Sequence, residues 1–401
     1  MSTIHDPTIP AGPGQEPPGA LWPGQGGPAG PGGPAGYGGG EGGPGKPGRG
    51  FRRGLLAAGA AGVLALGIFG GLAIAGAGHG SRPLTTSQIA AQVDPGLVDV
   101  VTTLGYQHGQ AAGTGLVLTP SGEVLTNNHV IQGATSIKVT DVGNGHTYPA
   151  RVVGYDRSHD IAVLQMQGAS GLSTVTLGDS ASVTTGQKVV ALGNAGGKGG
   201  TPSVATGRVA SLGDSITASD ASAGTSEQLT GLIHHNAGIQ PGDSGGPLVN
   251  TAGQVIGINT AASTGIQLQS DQTQAFAIPV NRAVAVARQI EAGSASATVH
   301  IGPTGFLGVE ILSADGAAAQ GVPVGSGAAV AGVLPGAPAA GAGLTAGDVI
   351  VSVDGHQIAS PNALQTALGL HHPGDRVSIG WTDQAGQRHS AAITLSTGPA
   401  A

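Results

Sequence analysis

The stretch Gly242-Asp243-Ser244-Gly245-Gly246-Pro247-Leu248 sets one serine among glycines, between a turn and the start of an apolar strand. Glycine at 242 lets a backbone N–H turn inward, so the amides of Gly242 and Ser244 can converge where an oxyanion would develop in front of the Ser244 hydroxyl. Gly245 and Gly246 leave space beside that hydroxyl for the backbone of a bound chain. A serine hydroxyl is a weak nucleophile until a positioned base takes its proton. Two further stretches supply that base and its orienting partner. Thr126-Asn127-Asn128-His129-Val130 follows the apolar pair Val124-Leu125, and Ser158-His159-Asp160-Ile161-Ala162-Val163-Leu164 puts an aspartate at the mouth of another strand. The order His129, Asp160, Ser244 is one of the known chain orders of a serine triad. His129 reads as the general base, and Asp160 as the group that holds its tautomer.

Outward from these stretches, residues 86 to 280 carry short β-rich runs broken by turn residues: Gly115-Leu116-Val117-Leu118, Val124-Leu125, Ser136 to Thr140, Ile161 to Leu164, Val189 to Leu192 and Val255 to Ile258. Many short strands with few helical patterns predict a mainly β barrel or sandwich. Asn281 is read as the cap of a short helix through Ile290 that Gly293 ends, and residues 292–302 read as a linker. The last 95 or so residues mix strands with a helix opened by Ser360-Pro361, which predicts a second, small α+β domain.

Residues 1–50 are dominated by Pro and Gly and lack the periodic apolar residues of a core, which predicts a disordered tail. Gly54 to Gly78 then runs 25 residues without a charge. About 20 apolar residues span a bilayer, so this run predicts a transmembrane helix. Lys46, Arg49, Arg52 and Arg53 precede it, against only Arg82 nearby on the other side. The positive-inside bias puts the N-terminus in the cytoplasm and everything after about residue 80 outside it. A cleaved signal ending near Ala73-Ile74-Ala75 or Ala75-Gly76-Ala77 is the competing reading, and it also exports the β-rich part.

Composition narrows the classes. A net charge of −7 with no basic stripe argues against nucleic acid as a partner. Zero cysteines exclude disulfides and thiolate metal sites. Without an HExxH pattern or acidic cluster, His234-His235 and His371-His372 read as surface or loop histidines, and no metal or cofactor is expected. His159 reads as a strand-edge residue turned away from the triad.

Taken together, these motifs resemble the HtrA/Deg family over residues 86 to 396. The resemblance rests on Gly113-Thr114-Gly115-Leu116-Val117, the His129 and Asp160 segments, Ala191-Leu192-Gly193-Asn194, Ile239-Gln240-Pro241, Gly257-Ile258-Asn259-Thr260 and Phe276-Ala277-Ile278-Pro279-Val280-Asn281. It implies two six-stranded barrels with the active site between them over 86–291, and cleavage after small or medium aliphatic residues of unfolded or exposed polypeptides. It also implies oligomers, usually built from trimers. Over 303–396, Phe306-Leu307-Gly308-Val309 and Gly343-Leu344-Thr345-Ala346-Gly347-Asp348-Val349-Ile350 resemble a PDZ domain. The amides of Leu307, Gly308 and Val309 would then capture a C-terminal carboxylate while the peptide adds a strand, with Gly308 clearing its approach. Taken whole, the expectation is a membrane-anchored serine endopeptidase regulated by peptide binding, its rival a PDZ-based sensor with latent proteolysis. Three departures from the family bear on regulation and specificity: Asp243 where Asn is common, Asn236 at a commonly acidic position, and an apparent insertion from Ser263 to Gln274.

Overall fold

The computed structural model describes residues 83–220, 225–260, 274–319, 321–323 and 325–400. The tail, the uncharged run 54–78 and nearly all of the 263–274 insertion lie outside these residues. Among the described residues no helix is long and apolar enough to cross a membrane.

The chain enters through helix α1 (Thr86–Val93), whose start is fixed by a reciprocal cap. Thr85 accepts from the Gln88 amide, and the Gln88 side chain accepts from the Thr85 amide. Six strands follow: β1 (Leu97–Leu104), β2 (Gly109–Val117), β3 (Glu123–Thr126), β4 (Ser136–Asp141), β5 (Thr147–Asp156) and β6 (Ile161–Met166), with a one-turn helix α2 (Asn128–Ile131) after β3. Their antiparallel pairings run β1-β2-β3-β6-β5-β4 and back to β1, closing a barrel. A second closed barrel is built from β7 (Lys188–Gly193), β8 (Ser203–Asp220), β9 (Thr225–His235), β10 (Pro247–Val249), β11 (Val255–Thr260) and β12 (Ala275–Pro279). The two six-stranded barrels are those that the resemblance implied.

Alternation along the strands divides the apolar residues among separate cores. Val98, Val100, Val139 and Leu164 fill the first barrel, and Val189, Ile233, Leu248 and Ile256 the second. A further cluster lies between them, where Leu116, Leu125 and Val163 meet Val190, Leu192 and Ile258. Helix α3 (Val280–Glu291) joins this cluster through Val280, Ala283, Val286, Ala287 and Ile290. Its cap differs from the expectation. Pro279 is the N-cap, and Asn281 lies inside the helix, where its side chain donates to Asp179 at 2.7 Å. Gly293, with φ +64°, does follow the helix end.

The stretch read as a linker contains a strand. Val299, His300 and Ile301 form β13 and pair with Asp156, Tyr155 and Gly154 of β5. An ideal Cβ on Gly154 would lie 2.5 Å from the His300 carbonyl oxygen, so only glycine admits this strand so closely.

The remaining chain forms a separate core around Leu307, Val330, Ile350, Leu364, Ile379 and Trp381. Its elements are β14 (Gly305–Phe306), β15 (Val309–Ile311), α4 (Ala314–Ala319), β16 (Ala328–Val333), α5 (Pro338–Gly341), β17 (Val349–Val353), β18 (His356–Gln357), α6 (Pro361–Leu368), β19 (Arg376–Thr382), β20 (Arg388–Thr394) and β21 (Ser396–Thr397). Ser360 caps α6 by accepting from Ala363, with Pro361 in the first turn as expected. Strand β15 lies at the end of the order β15-β16-β17-β19-β20 and presents a sheet edge.

Candidate active site

The site is assembled at the seam between the barrels. Strand β3 ends at Thr126, and α2 starts two residues later, so His129 stands in the first turn of a helix beside the seam. Asp160 occupies the tight turn before β6, where its amide donates to the Arg157 carbonyl oxygen at 3.1 Å and its φ is +52°. A non-glycine residue in the left-handed region is held there by its surroundings. Both carboxylate oxygens engage His129: Oδ1 accepts from the backbone amide at 2.9 Å, and Oδ2 lies 2.9 Å from Nδ1. The Asn127 side chain also donates to the Asp160 carbonyl oxygen at 2.9 Å. Asp160 is buried, whereas the His129 side chain keeps 41% of its exposure. The base is thus clamped on its Nδ1 side while its ring remains partly exposed.

The serine loop reaches the same place by close glycine packing. The Thr114 amide donates to the Ser244 carbonyl oxygen at 2.8 Å. A Cβ on Gly113 would lie 2.6 Å from the Val130 side chain and 3.1 Å from the Ser244 carbonyl oxygen, so this glycine brings the His129 helix and the serine into apposition. A Cβ on Gly245 would lie 2.0 Å from the Thr114 carbonyl oxygen and 2.4 Å from Thr126 Oγ1. On the other side, neighbouring residues of β11 touch both parts. Thr260 Oγ1 donates to Asp160 Oδ2 at 3.1 Å, while Asn259 accepts from Gly245 at 2.9 Å and donates to Gly246 at 2.8 Å. One short strand therefore registers the aspartate against the serine loop.

The loop before Ser244 is a tight turn. Asp243 N donates to Gln240 O at 3.0 Å, with Pro241 second in the turn and Gly242, at φ +99°, third, as a type II turn requires. The Pro241 carbonyl accepts from Gly196 N at 2.7 Å. In a trans peptide the C=O and the following N–H point in opposite directions, so the Gly242 N–H is aimed away from Gly196. Thr114 Oγ1 donates to the Gly242 carbonyl oxygen at 2.7 Å and fixes the next peptide.

Thr114 and Thr260 were quoted above only as parts of longer motifs, and Ser203 not at all. Their hydroxyl roles depend on pairings across 40 to 128 residues that no local pattern displays. His159 does turn away, with Nδ1 2.7 Å from Asp156 Oδ2. The reading of His234-His235 as surface or loop residues needs correction. Both lie on β9, and His235 is fully buried in the second barrel. Burial first, then neighbouring His234, hold its pKa down to about 4.

In the C-terminal unit, Leu307 is buried in the core, and its carbonyl oxygen accepts from Ala339. Val309 opens the edge strand β15. Gly308 has φ +81°, and a Cβ there would lie 2.1 Å from that of Ala337. Glycine is thus demanded by packing inside the unit, a stronger reason than the clear approach expected from sequence.

Two barrels with a clamped histidine and a glycine-set serine in the seam define a chymotrypsin-like serine hydrolase site. The comparisons agree with that class. The trypsin-like peptidase domain family matches residues 113–258, and the PDZ domain family matches residues 305–386. The serine protease PepD of Mycobacterium tuberculosis is 34% identical over 340 residues, covering 78% of this chain and 66% of the relative. The periplasmic serine endoprotease DegP of Salmonella typhimurium is 38% identical over 294 residues, covering 72% of this chain and 57% of the relative. Among solved structures, the HtrA-type protease AlgW with tripeptide is 30% identical, with a TM-score of 0.44 over 79% of this chain and 98% of that one. The chain belongs to the HtrA/Deg family of serine proteases bearing a PDZ domain. It spans just under two thirds of the length of PepD and less of DegP.

Proposed function

We propose that this chain is a serine endopeptidase that acts through an acyl-enzyme, with Ser244 as nucleophile, His129 as general base and acid, and Asp160 as the residue orienting it. The observation that carries the reading is the double grip of Asp160 on the His129 amide and Nδ1. With Nδ1–H bound to the carboxylate, Nε2 is left as the proton acceptor. Ser244 Oγ adds to the substrate carbonyl carbon as its proton passes to Nε2, and the amides of Gly242 and Ser244 stabilise the oxyanion. Collapse breaks the C–N bond, and His129 returns the proton to the leaving amine. Water then repeats the sequence on the ester and frees Ser244. The test is turnover of an unfolded protein such as casein. Ser244→Ala should abolish it, leaving only residual binding and oxyanion effects.

The remainder of the function follows from the flanking parts. The uncharged run 54–78 with its preceding basic residues supports a single-pass anchor, cytoplasmic N-terminus and extracytoplasmic catalytic part, acting on unfolded or exposed envelope polypeptides as a trimeric homo-oligomer. The edge strand β15 and the loop of Leu307, Gly308 and Val309 suit a peptide with a free C-terminus, whose binding tunes the protease. The catalytic unit extends through β13 rather than ending at α3, so the connection to the PDZ unit is short. Protease shaving of intact spheroplasts checks the topology: the catalytic part should be digested, and its protection would contradict the anchor orientation.

A further inference from the structure

Asp243, immediately before the nucleophile, carries a carboxylate in a site 3% exposed. A buried carboxylate demands compensation. In this chain the compensation is local. Oδ1 accepts from Ser203 Oγ at 2.8 Å, and Oδ2 accepts from the Gln240 amide at 2.8 Å. We propose that Ser203 is a positioning residue that holds Asp243 and through it the Gln240–Asp243 turn, so that the Gly242 amide is presented to the oxyanion. The proposal rests on the reading of Ser244 and Gly242 given above.

The chain of contacts is continuous. Ser203 opens β8, which is fixed to β7 by pairing with Gly193. Its hydroxyl grips Asp243, and Asp243 closes the turn twice, by its amide to Gln240 O and by its carboxylate to Gln240 N. That turn presents the Gly242 amide. A hydroxyl has one proton, and Ser203 Oγ stands within reach of two acceptors, Asp243 Oδ1 and Gly193 O at 3.1 Å. While Asp243 is ionised, the charged acceptor holds that proton.

Burial raises the Asp243 pKa, and the Gln240 and Ser203 donors oppose the rise. Gly193, Ser203 and Gln240, which touch the carboxylate, carry no charge. The adjoining 195–200 turn carries Lys198, and Gly200 of that turn donates to Asp99. Removing the Ser203 hydroxyl therefore raises the Asp243 pKa further. A group so raised favours the assembled turn below its unfolded pKa and penalises it as pH climbs through the folded value. The damage in Ser203→Ala should therefore grow as Asp243 ionises with rising pH, and it is compared at pH 5.5 and pH 8.

The experiment measures kcat and KM of the full chain at those two pH values for Ser203→Ala, Ser203→Thr, Asp243→Asn and Ser203→Ala/Asp243→Asn. Because the oxyanion site acts in the transition state, Ser203→Ala should lower kcat roughly tenfold at pH 8 with KM little changed, and less at pH 5.5. Ser203→Thr keeps the hydroxyl and should restore the rate. Asp243→Asn removes the buried charge, so adding it to Ser203→Ala should recover most of kcat and flatten the pH difference. Equal loss at both pH values with no recovery in the double variant would overturn the proposal, as would full activity of Ser203→Ala. Fluorophosphonate labelling separates this from the reading it rests on. Labelling that survives Ser244→Ala removes the nucleophile assignment, whereas equal labelling rates of wild type and Ser203→Ala at pH 8 remove only the role of Ser203.

Discussion

Thr114 of the first barrel and Gly242 of the serine loop are joined across the seam, with Thr114 Oγ1 donating to the Gly242 carbonyl oxygen at 2.7 Å while accepting from the Asn194 amide at 2.8 Å. One hydroxyl thus sets the peptide on which the oxyanion site depends. Thr114→Val keeps the shape and removes both bonds, leaving a buried amide and a buried carbonyl short of a partner. We expect kcat to fall by roughly ten- to a hundredfold, equivalent to about 1–3 kcal/mol, with KM little altered. Steady-state kinetics beside Ser203→Ala will show whether the two positions act on the same turn, since variants in one network combine non-additively.

Thr260 gives Asp160 a donor that does not depend on His129. Thr260→Val should leave the fold intact and lower kcat by about tenfold, because the carboxylate loses one of the bonds that fix its direction. Thr260→Ser should retain most of the rate. An unchanged kcat in Thr260→Val would mean that the His129 amide alone suffices to orient Asp160.

His235 predicts an acid limit on stability rather than on chemistry. Its folded pKa of about 4, against an ordinary 6.5, means that the unfolded chain takes up the proton first as pH falls. Its contribution is fully present above about pH 6.5 and is lost progressively toward pH 4, reaching about 3 kcal/mol. Thermal melts from pH 7 to 4.5 should show a drop that is reduced in His235→Gln. The same drop in that variant would assign the acid sensitivity elsewhere.

The PDZ unit should bind apolar-ended peptides through the free acid and much more weakly as the C-terminal amide. Calorimetry on the full chain carrying Ser244→Ala measures this without turnover. Equal affinity for acid and amide would remove the carboxylate role of Leu307, Gly308 and Val309. Gly308→Ala should destabilise this unit by at least 1–2 kcal/mol, given φ +81° and the Ala337 contact.

The serine loop, the histidine segment and the aspartate turn were legible because each function needs a particular residue in a short stretch with its own strand and turn signals. The strands of both barrels were legible only in part. The period of apolar residues exposes Val189 to Leu192, but not β8 and β9, which mix polar and apolar residues and pair with each other over Val209 to Asp220 and Thr225 to His235. The β13 strand was missed because Val299-His300-Ile301 is three residues long and is fixed by β5, nearly 150 residues earlier in the chain. His235 misled for a related reason: a histidine next to another histidine looks exposed until a strand register turns one of them inward. The hydroxyl donors Ser203 and Thr260 gave no local signal, since serine and threonine are common and only distant partners distinguish these two.

The central claim is that Ser244, activated by His129, is the nucleophile of a peptidase. It is tested most directly by incubating the full chain with a fluorophosphonate probe, mapping the modified residue by mass spectrometry, and following casein turnover in the same samples. The account predicts a single adduct on Ser244, loss of turnover in step with labelling, and neither labelling nor turnover in Ser244→Ala; an adduct at another residue that tracks the loss, or turnover that persists in Ser244→Ala, would contradict it.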